Sequence, residues 1–142
     1  MADLNLSDLA RVAVTLPGWR WMDGMAAYWV KPSGTARGRV RAYVDGDGFS
    51  WESPRGDFTG AWPMPEGYGE CLPDLSDPAT FGCLLALVRE AWSSPDLRVR
   101  RVGQRTLWEV ERWDHAQVRY VHVADGPSEV DALVAALEVS NG

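Results

Sequence analysis

Lysine is almost missing from this chain: Lys31 stands alone against thirteen arginines. Cysteine and histidine are nearly as scarce, with two of each. Cys71 and Cys83 cannot build a disulfide framework, and their spacing with His115 and His122 matches no zinc pattern. The reading is two reduced thiols in a reducing compartment, with no metal and no cofactor. No apolar run reaches membrane-spanning length and no basic-plus-apolar leader is present, which argues against a membrane protein. No nucleophile elbow or phosphate-binding glycine loop is visible. Positive charge is also short. Twenty acids face fourteen bases, a formal charge of −6, which argues against direct nucleic-acid binding by the whole molecule.

What is present is enough apolar sequence for one domain, 1–142, with a real core. Eight tryptophans point to a well-packed core, an aromatic binding surface, or both. The clearest element is a helix over 77–92. Asp77 is its N-cap and Pro78 its first residue. Phe81, Leu84, Leu85, Val88 and Trp92 recur at helical spacing, Cys83 and Leu87 widen the apolar face, and Ser93, Ser94 and Pro95 stop it. A first helix is predicted over 3–16, with Leu6, Leu9, Ala10 and Ala13 as its stripe. A last one starts at Ser128, with Asp131 in a capping-box position and Val130, Leu133, Val134 and Leu137 inward.

Between the helices, 26–30, 39–44 and 49–52 read as strands, the last two joined by the turn signal Asp45-Gly46-Asp47-Gly48. Residues 53–77 are rich in proline and glycine and read as a long ordered loop. Strands follow at 97–102, 106–113 and 117–123. The expected fold is α+β, with antiparallel sheets packed around a central helix in the approximate order α-βββ-α-βββ-α.

The stretch "LPDLSDPATFGCLLALVREAW" (72–92) resembles a motif in small uncharacterised proteins encoded by phages and prophages of high-GC bacteria. "LPGWRWMDGM" (16–25) is similar to their N-terminal part. The arginine-for-lysine bias agrees with such a source. The resemblance implies a bacterial host cytoplasm and no particular activity, so no catalytic residue is carried over from it.

Charge clusters in one place. Between 45 and 77 lie Asp45, Asp47, Glu52, Asp57, Glu66, Glu70, Asp74 and Asp77, opposed only by Arg55, together with Phe49, Trp51, Phe58, Trp62 and Tyr68. Carboxylates that steer and rings that anchor suit a basic protein surface. The candidate binding residues are Asp45, Asp47, Trp51, Glu52, Asp57, Trp62 and Glu66. Asp45, Asp47 and Glu52 lack the further oxygens and flanking helices of a calcium loop. The C-terminal strands carry Arg98, Arg100, Arg101, Arg105, Arg112 and Arg119 among Asp96, Glu109, Glu111 and Asp114, a pattern that fits cross-strand ion pairing.

The expected function is that of a phage-type accessory protein that binds and inhibits a bacterial host protein with a basic surface, a CRISPR or other defence component included. One alternative is a small enzyme acting on a nucleotide or nucleic acid, using His122 with Glu109 or Glu111 for acid–base chemistry. Another is a virion or assembly component, for which no repeat or coiled-coil signature is seen.

Overall fold

The computed structural model describes residues 5–31, 34–42, 49–52, 58–61, 71–103 and 106–140. In chain order they form α1 (Leu6–Thr15), β1 (Ala26–Lys31), β2 (Gly34–Ala42), β3 (Phe49–Glu52), β4 (Phe58–Ala61), β5 (Cys71–Pro73), α2 (Pro78–Ala91), β6 (Arg98–Arg101), β7 (Trp108–Asp114), β8 (Arg119–Gly126) and α3 (Glu129–Val139). All strand pairs are antiparallel, in one sheet ordered β4-β3-β2-β1-β5 and another ordered β6-β7-β8. The class is the expected α+β. The stretch 53–77, read as one long loop, contributes two further strands, β4 and β5. Short strands inside a Pro- and Gly-rich stretch carry no period of their own, and their neighbours supply the pairing.

The chain gathers into two compact units, residues 20–83 and residues 1–19 with 84–142. The boundary falls within α2.

In the first of these, β1 and β2 form a tight hairpin in register from Ala26↔Arg39 to Lys31↔Gly34. β2 therefore begins five residues before the expected position. β3 returns along β2 from Arg39↔Glu52 to Ala42↔Phe49, the hairpin predicted around 45–48. Met25, Ala27, Val40, Leu72, Leu75 and Thr80 are buried here. Asp77 caps α2 as its sequence position demands. Its carboxylate accepts from Thr80 N at 3.1 Å, and its carbonyl accepts from Phe81 N at 3.0 Å.

In the other unit, α3 packs on β8, β7 and β6 and against α1. Leu9, Ala10, Ala13, Leu84, Leu87, Val88, Leu97, Val110, Leu133, Val134 and Leu137 are buried. On α2 the buried positions are Thr80, Leu84, Leu87 and Val88, while Phe81, Leu85 and Trp92 are half-buried. The inward face is thus turned slightly from the predicted stripe. Trp92 is half-buried because its indole N–H donates to Ala136 O at 2.9 Å, which holds the ring at the rim.

Both later helices close as their sequence suggests. α2 ends in a Schellman arrangement: Ser93 takes φ +49°, Ser93 N donates to Glu90 O and Ser94 N to Arg89 O. α1 starts one turn later than predicted, because Asn5 is the N-cap and its Oδ1 accepts from Asp8 N at 2.8 Å. Ser128 caps α3, its Oγ accepting from Asp131 N. Asp131 is too short to reach back to the backbone N–H and instead accepts from the Ser128 hydroxyl at 2.5 Å.

Candidate functional site

Of the predicted binding residues, Asp45, Asp47, Asp57, Trp62 and Glu66 lie outside the described residues. Trp51 and Glu52 stand on β3, where register pairs Trp51 with fully buried Val40 and Glu52 with Arg39. Of the segment's described parts, β3 and β4 lie at one edge of their sheet and β5 at the other.

Two acids of the segment have internal work. Arg39 donates to both carboxylate oxygens of Asp77, at 2.8 and 2.9 Å, and to Gly24 O at 3.1 Å. Thr80 Oγ1 donates to Asp77 at 3.3 Å and accepts from Ala26 N at 2.8 Å. This fork ties β1 and β2 to the start of α2. The Arg39 hydrogen bonds, aided by those from Thr80, hold the Asp77 carboxyl at about 2, well below the usual range, against a smaller opposing effect of burial. Arg39 is raised in turn, chiefly by the same hydrogen bond. Asp74 closes the preceding turn by accepting from Ser76 N and Oγ, and Arg37 reaches it at 3.4 Å. Between these pairs lies a cleft of about 230 Å³ floored by Ala26, Ala27 and Gly38. Sequence reading missed it because Arg39 and Asp77 lie 38 positions apart. The alternation Arg37-Gly38-Arg39 on a strand was the one available signal.

The alternative site is the other sheet. Register sets Glu111 against His122 and Arg98, and Glu109 against Arg100 and Asp125. His122 Nδ1 stands 3.6 Å from Glu109 and its Nε2 3.4 Å from Asp125. The expected adjacency of His122 to Glu109 and Glu111 is real. Its chemistry, however, is that of an ion-paired sheet face. Arg98 Nε donates to Glu111 Oε1 at 3.0 Å, Arg100 Nε pairs with the same oxygen at 3.1 Å, and Glu111 is buried beneath them. Arg98 also lies 3.6 Å over the Tyr120 ring. The Glu111 carboxylate is thus committed to the two guanidiniums above it.

Cys83 carries a free thiol whose Sγ approaches Asp23 O at 3.8 Å. Burial, then the charges of Asp23 and Asp77, push that thiol up, so it is a weak nucleophile at neutral pH. Among the described residues no group of three or more His, Cys, Asp or Glu is placed to hold a metal ion, and no helix is long and apolar enough to cross a membrane.

Comparison of the chain with models of protein families, with curated proteins and with solved structures finds no match in any of the three.

Proposed function

We propose that this chain acts by binding a protein with a basic surface through its acidic, aromatic segment 45–77, and that binding inhibits the partner. The observation that carries the reading is the segregation of charge: eight acids and one arginine lie in thirty-three consecutive residues with five aromatic rings. Asp74 and Asp77 are committed to the turn and the helix cap, so the reading rests on Asp45, Asp47, Glu52, Asp57, Glu66 and Glu70. Carboxylates of one sign raise the encounter rate with a basic surface, and desolvated rings slow its release. The resemblance to phage-encoded proteins makes a bacterial host protein, a defence component among them, the partner class.

The test is capture of the partner from bacterial lysate followed by binding kinetics. Replacing Asp45, Asp47 and Asp57 together by lysine should slow association and flatten its salt dependence. Trp51→Ala or Trp62→Ala should raise the dissociation rate. His122→Ala and Glu109→Gln should leave binding unchanged. A second reading, a small enzyme acting on a nucleotide or nucleic acid, draws on the 3.6 Å approach of His122 to Glu109. It wins if the last two variants abolish activity while folded and the charge reversals do nothing.

A further inference from the structure

We draw no further inference here: the strongest candidate, the cleft of about 230 Å³ floored by Ala26, Ala27 and Gly38, belongs to the site already described, and because Asp77 matches Arg39 and Asp74 matches Arg37 along its walls, nothing in the structure names the charge or chemistry of a ligand.

Discussion

Single residues set the local energetics of this fold, and Asp77 is the most connected of them. It caps α2, pairs with Arg39 through two oxygens and takes the Thr80 hydroxyl. Its carboxyl is depressed from 3.8 to about 2. A depressed acid contributes stability that is fully present above its unfolded pKa and is lost as pH falls through its folded one. Wild-type stability should therefore drop between about pH 4 and about pH 2, a slope that Asp77→Asn should flatten. Asparagine can still cap the helix, whereas Asp77→Ala loses the cap as well and should cost about 1 kcal/mol more in urea unfolding. Ser93 is a simpler case. It is exposed and sits at φ +49° where the Schellman motif prefers glycine. Ser93→Gly should stabilise by about 0.5 kcal/mol, the relief of left-handed strain outweighing the added freedom of the unfolded chain. A lower melting temperature in that variant would contradict the cap geometry.

Between elements, the contact of α3 with β8 depends on one missing side chain. A Cβ on Gly126 would lie 2.8 Å from Ala132 N and 2.8 Å from Asp131 Cβ, the first turn of α3. Neither atom is the end of a flexible chain, so the helix itself must shift. Gly126→Ala should destabilise by about 1–3 kcal/mol, seen as a lowered urea midpoint with an unchanged slope. Between β7 and β8, Val110↔Ala124 gives way to Glu111↔His122, a bulge that inserts Val123. That extra residue is invisible to a period-two reading, and it helps bring His122, Glu109 and Asp125 together. The helices were the legible part because each carries its own start, stripe and stop: Asn5, Asp77 and Ser128 all act as caps. β4 and β5 were not legible, because three- and four-residue strands owe their existence to β3 and β1 beside them.

At the scale of the whole molecule, a chain of net charge −6 separates its signs along the sequence: acids over 45–77, arginines over 98–119. Partner association through the acidic segment should slow steeply as salt rises past a Debye length of about 8 Å at physiological ionic strength. Association rates measured from low to high salt check this, and a rate indifferent to salt would remove electrostatic steering from the account. The arginines behave differently. Arg98 and Arg100 share the single negative charge of Glu111, which offsets one of their two charges locally.

By itself the sequence determined the α+β class, the three helices with the Asp77 and Ser128 caps, the β2–β3 return and the pairing of arginines with acids on the last three strands. These follow from short-range rules: side-chain periodicity, cap chemistry and cross-strand neighbours act over a few residues. Only the tertiary structure decided that Arg39 belongs to Asp77, that β4 and β5 are strands, that Gly126 admits α3 and that Val118 takes φ +52° in the β7–β8 turn. Each of these depends on groups distant in the chain or on a backbone angle imposed by a closed turn, and no local pattern records where a chain returns to itself.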